Sequence, residues 1–161
     1  MANHANVSAA NLTQTAGHGV WKRSVGAGLI AAIVMAVFAM IVAASRGPGF
    51  FAPMKLISAV VLGQRAMTIG AGAVVLGIAI HLAMGALLGA LFAAVVFSRP
   101  SWLATVALAL IYSTGVYLVM SILILPWGNP VMLHHISLSW FLLYHLAFGL
   151  TLGALTGIRT T

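Results

Sequence analysis

Long apolar runs alternate with short segments that hold the prolines and all seven charged side chains, and this alternation sets the layout of the chain. The first run, about Val25 to Ala44, follows Trp21-Lys22-Arg23 and holds twenty uncharged residues. At about 1.5 Å rise per residue that is enough to cross a hydrocarbon core of about 30 Å. Lys-Arg before it and Val42-Ala43-Ala44 after it resemble a signal peptide, but the run is long for one and is read as a retained helix. Residues 66–98 are uncharged throughout and contain a second span, about 70–97. Arg99-Pro100-Ser101 reads as a tight turn, so a third span (about 102–125) is expected beside the second as its antiparallel neighbour. Pro126-Trp127-Gly128-Asn129-Pro130 ends it, and a short apolar link leads to a fourth span, about 136–157. Between spans one and two, Gly47-Pro48-Gly49 stops the helix and Pro53 suits the first turn of another. Met54, Ile57 and Val61 fall on one face of it, so about 53–63 reads as a short helix in the membrane interface. Residues 1–20 are polar, uncharged and expected to form a flexible arm ahead of a single domain, 21–161.

One phrase occurs twice. HLAMGALLGAL at 81–91 and HLAFGLTLGAL at 145–155 agree at eight of eleven positions, 64 residues apart. Each opens a four-residue ladder: Gly77, His81, Gly85, Gly89 in the first copy and His145, Gly149, Gly153, Gly157 in the second. Such steps trace one helix face. Lipid gives no hydrophobic drive for helices to associate, so a smooth glycine face that lets backbones approach is the expected packing surface. Spans one–two and three–four therefore read as tandem helical hairpins. The expected fold is an all-α integral membrane protein, a four-helix bundle with an approximate twofold axis along the membrane normal.

Composition narrows the chemistry. The chain is 63% hydrophobic and 4% charged, with no aspartate, glutamate or cysteine. Within it there is no carboxylate pair for acid–base catalysis, no carboxylate cage for Mg²⁺ or Ca²⁺, and no thiolate. No catalytic constellation is expected, and the chain is read as not an enzyme. The charge of +7 is scattered between the apolar runs rather than clustered with aromatics, which argues against nucleic acid. Trp21, Lys22, Arg23, Lys55, Arg65, Arg99, Trp102, Trp127 and Trp140 all fall at span ends, where aromatic belts and anionic lipid headgroups are met. Lys22, Arg23, Arg99 and Arg159 share one side against Arg46, Lys55 and Arg65 on the other. The uncharged, tryptophan-bearing link between spans three and four tips the expected orientation toward termini in the cytoplasm.

The histidines are the candidate chemistry. His81 and His145 are expected at similar depth, each hydrogen-bonding across a helix interface, with Tyr112, Ser113, Thr114, Tyr117 and Tyr144 as candidate partners. An alternative makes the two imidazoles axial ligands of haem b, or one of them the ligand of a (bacterio)chlorophyll magnesium, beside glycines that leave room for the macrocycle. A further alternative is a small homo-oligomeric channel, or a metal transporter using His81, His134, His135, His145 and the methionines; no dedicated metal site is expected. His134-His135 reads as a solvated helix start. The runs GPGFFAPMKLISAVVLG (47–63) and HLAMGALLGALFA (81–93) resemble small uncharacterised four-helix integral membrane proteins of bacteria, a resemblance that implies the topology and no active-site residue. The functional expectation is an accessory or scaffolding subunit of a larger membrane complex of respiratory, photosynthetic or oxygenase type, in contact with lipids and other membrane subunits.

Overall fold

The computed structural model describes residues 2–96 and 101–158 and, from residue 21 onward, their side chains. Seven α-helices follow in order: α1 (Ala2–Arg46), α2 (Ala52–Leu62), α3 (Ala71–Val95), α4 (Trp102–Val119), α5 (Leu125–Gly128), α6 (Pro130–His135) and α7 (Leu138–Gly157). Four stretches are long and apolar enough to cross a membrane: Trp21–Arg46, Ala71–Val95, Trp102–Gly128 and Leu138–Gly157. They match the four expected spans to within a few residues at each end, and the protein is an all-helical membrane fold. The expected ends of span two at Phe97 and of its turn at Arg99 and Pro100 lie outside the described residues, as does Arg159.

Residues 2–20, expected as a flexible arm, instead continue the helix of span one. The segment is rich in alanine and has no proline, and extending an existing helix avoids the cost of nucleation. The other end stops sharply: Gly47 and Gly49 sit at φ +102° and +100°, a region costly for any side chain with a Cβ. Ser101 caps α4 by accepting a hydrogen bond from the Ala104 N–H at 3.3 Å. Near its far end α4 widens into a π turn, Met120–Ile124, before α5. Pro126 lies just beyond, has no N–H and crowds the carbonyl one turn back, which accounts for the lost α-register.

Most ladder glycines pack within their own hairpin. A Cβ placed on Gly85 or Gly89 of α3 would strike Ala32 or the Ser24 carbonyl of α1. One placed on Gly153 of α7 would lie 2.7 Å from Val106 Cα and 2.8 Å from Ala109 Cβ of α4. Gly149 meets Ser113 and Ala109, and Gly157 meets Trp102 and Thr105. Gly77 departs from this pattern and packs on Met54 of the short helix α2. The surfaces that receive the ladders are also repeated: Ser24, Gly28, Ala32 on α1 and Thr105, Ala109, Ser113 on α4, two small-residue stripes 81 residues apart. They match in size, not identity.

α1 packs against both α3 and α7, and α7 packs against α4. The order across the bundle is thus α3–α1–α7–α4, an arc. Ala27, Ala31 and Ala32 of α1 meet Phe92, Ala109, Phe148 and Leu152 in its core. Phe38 ties the hairpins together with edge-on contacts to Trp140 (6.4 Å) and Tyr144 (5.3 Å). At the ends of the arc α3 and α4 do not close along their length. Spans two and three, expected as packed neighbours, meet through the Tyr112 hydroxyl, which donates to the Leu88 carbonyl at 3.0 Å, and through the Tyr112–Phe92 rings.

At the end of the bundle where α1 stops, α2 and α6 form a lid-like layer. α2 covers the expected interfacial segment, but its buried side is Ala52, Met54, Leu56, Ser58 and Ala59; Val61, expected on that face, is 67% exposed. The face is set by Gly77, which accepts Met54, and by Val131 of α6, which packs on Leu56 and Ala59. Buried Asn129 pins the layer: its amide donates to the Leu56 carbonyl at 2.8 Å while its oxygen accepts from the Met132 N–H at 3.0 Å, capping α6.

Candidate functional site

Because the arc is open between α3 and α4, a cavity of about 700 Å³ lies inside it. Ala32, Met35 and Phe148 form its floor, and Ile57 and Val60 of α2 with Asn129 and Met132 cover one end. Tyr112 stands at the other. The volume falls within the roughly 300–1,000 Å³ typical of small-molecule sites. The mouth is lateral: Met84, Leu91, Val119 and Ile124 line the cavity and are themselves exposed, so it opens sideways between α3 and α4. The π turn contributes Met120 and Ile124 to the wall, so the loosened register borders the site. Gly115 also lines it, and a Cβ there would meet nothing within 4 Å.

The sequence-predicted histidines both reach this cavity, so the repeat does bring His81 and His145 to one place. Their bonding differs. His81 Nε2 lies 2.9 Å from the Ala32 carbonyl of α1, an interhelical bond of the kind expected but to backbone rather than to a tyrosine or hydroxyl. The small stripe explains this: with no side chains between the helices, the carbonyl itself comes within reach. Symmetry would give His145 a bond to α4. Instead its Nδ1 lies 2.8 Å from the Phe141 carbonyl, one turn back on its own helix, so the expected interhelical bond is absent there. A neutral imidazole has one N–H, and each ring spends it on a carbonyl. His81 keeps a bare Nδ1 and His145 a bare Nε2. His145 is 5% exposed and sits edge-on to Phe141 (4.4 Å) and Tyr117 (5.9 Å).

This arrangement bears on each ligand reading. Nδ1–H held by a backbone carbonyl with Nε2 free is the usual arrangement of a metal-ligating histidine, and His145 has it. His81 has the reverse, and binding iron through its Nε2 requires breaking the bond to Ala32. The paired bis-histidine arrangement is therefore not preformed, whereas a single ligand at His145 is. His134 and His135 are exposed at the end of α6, not at a helix start, and His135 Nδ1 lies 2.7 Å from the Val131 carbonyl. Among the described residues no group of three or more metal-binding side chains comes together.

A smaller cavity of about 140 Å³ lies behind the first, and His81 lines both. Arg46, His135, Ser137 and Tyr144 border it near the layer of α2 and α6. The Arg46 guanidinium stands 5.8 Å from the centre of the Trp140 ring. Trp21 and Trp102 are about half exposed and Trp127 is 85% exposed, each at a span end as a membrane belt requires, while Trp140 is partly buried against Tyr144. Trp102 also donates to the Ala154 carbonyl at 3.2 Å, and Arg23 to the Ile158 carbonyl at 2.8 Å, which tie the hairpins' other ends. Lys22 is exposed at that end. Lys55 is partly buried in α2 and Arg65 lies exposed in the 3₁₀ turn that follows it.

The geometry defines a class: a four-helix integral membrane protein with a ligand-sized cavity open between α3 and α4. Comparison with protein-family models, curated proteins and solved structures finds no match.

Proposed function

We propose that this protein is a non-catalytic membrane subunit that holds a lipid-soluble ligand between its two hairpins. The cavity carries the reading. A bundle this small gains stability by closing, and here α3 and α4 stand apart around a space that is apolar except for His81, His145, Tyr112 and Asn129. Few polar groups converging in an apolar, laterally open pocket is how proteins orient hydrophobic ligands. The absence of any carboxylate or thiol supports a binding rather than a catalytic role. The outer faces of α3 and α4 carry Val75, Leu87, Leu103, Ile111 and Ile122, which suit lipid or a neighbouring subunit of a larger complex in a bacterial cytoplasmic membrane. The uncharged link through Trp127 supports cytoplasmic termini.

The test is chemical. Protein purified in mild detergent is examined by ultraviolet–visible spectroscopy, oxidised and reduced, then extracted with organic solvent and the extract analysed by mass spectrometry. The expected result is one apolar compound at close to one per chain. An extract holding only bulk phospholipid in variable amounts overturns the proposal.

A further inference from the structure

The hydrogen-bonding state of the cavity's polar groups restricts what chemistry its ligand must bring. The Tyr112 hydroxyl hydrogen is committed to Leu88 O. The Asn129 amide donates one N–H to Leu56 O and its oxygen is taken by the Met132 N–H, which leaves it one N–H at the end covered by α2 and α6. Both imidazole N–H groups are committed to carbonyls, of Ala32 and Phe141. What the histidines have left to offer a guest is two lone pairs, His81 Nδ1 and His145 Nε2. The imidazole surface of the cavity accepts; it does not donate. Placed against the imidazoles, a ligand head made only of carbonyl or ether oxygens would set acceptor against acceptor in an apolar space and leave both sides unpaired.

The surroundings of His145 restrict the head group further. Phe141 packs edge-on against its ring, and Phe141 and Phe148 both line the cavity beside it, a site that favours an aromatic head by edge and face contacts. Met84, Leu91 and Val119 at the mouth give an attached hydrocarbon tail a continuous apolar path to lipid. We infer that the ligand is a lipid-soluble phenol of the hydroquinone type, bound with its hydroxyl donating to Nε2 of His145. This rests on the ligand-holding role proposed above and specifies it. Reduced and oxidised forms of one quinone differ at the oxygen: the hydroquinone presents O–H donors and the quinone only acceptors. The site discriminates between them without performing the redox step.

The experiment titrates the full-length protein in lipid nanodiscs, under anaerobic conditions, with decylubiquinol, decylubiquinone and the dimethyl ether of decylubiquinol. The three share tail and ring and differ in donor capacity. The expected result is binding of the hydroquinone at least about tenfold tighter than either of the others. In His145→Gln, whose amide offers a donor as well as an acceptor, the preference shrinks severalfold through tighter binding of the quinone. If all three bind wild-type protein equally, or the quinone binds best, the donor inference is overturned while the ligand-holding role stands. If purified protein carries a metallated tetrapyrrole whose absorption is lost in His145→Gln, the lone pair serves a metal and the hydroquinone inference also falls. If none of the three binds and the extract holds only bulk phospholipid, the ligand-holding role itself fails.

Discussion

Gly153 offers the sharpest test of how the hairpins are held. In Gly153→Ala the new methyl would lie 2.7 Å from Val106 Cα, 2.8 Å from Ala109 Cβ and 3.1 Å from the Thr105 carbonyl oxygen. Carbon pairs pack best at about 3.5–4.0 Å, so α4 and α7 must separate by roughly 0.7–1.3 Å. None of the three atoms belongs to a long side chain that can rotate away. Separation also loosens the contacts of Gly149 and Gly157 on the same face. Overpacking of this kind costs about 1–3 kcal/mol, against which alanine's better helix propensity returns up to about 1. A net loss of about 1–2 kcal/mol is expected. The matched control is Gly26→Ala in α1, where a Cβ meets nothing within 4 Å and only the propensity gain applies. Reversible unfolding in mixed detergent micelles, followed by tryptophan fluorescence, measures both. Equal stability of the two variants, or a more stable Gly153→Ala, would refute close backbone packing at the second ladder.

Other outcomes follow from individual contacts. His81→Ala removes the bond to Ala32 and should cost about 0.6–1.7 kcal/mol in the same assay, while His145→Ala, whose hydrogen bond stays within α7, should weaken α4–α7 association only through the lost ring contact with Tyr117, about 0.5–1.5 kcal/mol. Asn129→Ala loses the α6 cap and the bond to Leu56, about 1–3 kcal/mol together, and should expose the α2–α6 layer to faster protease cleavage. Phe38→Ala removes the edge contacts to Trp140 and Tyr144, and should weaken association between hairpins more than within them, read by crosslinking of cysteine pairs introduced into this cysteine-free chain.

The spans and the ladders were legible because both are written in residue type at a fixed period. Twenty uncharged residues are long enough for a span, and His-x-x-x-Gly-x-x-x-Gly twice at an offset of 64 marks two like faces. The partner faces were harder to see. Ser24-Gly28-Ala32 and Thr105-Ala109-Ser113 share size but no residue, so a comparison by identity passes over them; a scan for small residues at four-residue steps would have found both. The histidine partners were missed for a related reason. Sequence shows side chains, and closely packed helices make the backbone of Ala32 the nearer acceptor. The α2 face was misassigned because Gly77 and Val131, distant in sequence, decide which side is covered. The cavity had the weakest signature, since it arises where α3 and α4 do not pack. Gly115, outside both ladders with open space at its Cα, and Pro126 beside the π turn are the two residues that mark it.

Gly115 also gives the most direct test of the central claim, that the space between α3 and α4 holds a ligand. Gly115→Leu projects a side chain into the cavity from a position with no neighbour to displace, so the fold is expected to survive while the site is filled. Native mass spectrometry of wild-type and Gly115→Leu protein, released from the same detergent, reads occupancy chain by chain. One adduct of defined mass is expected on the wild-type chain, with its loss in the variant at unchanged helical content. The same adducts on both, or none of defined mass on either, would contradict the claim.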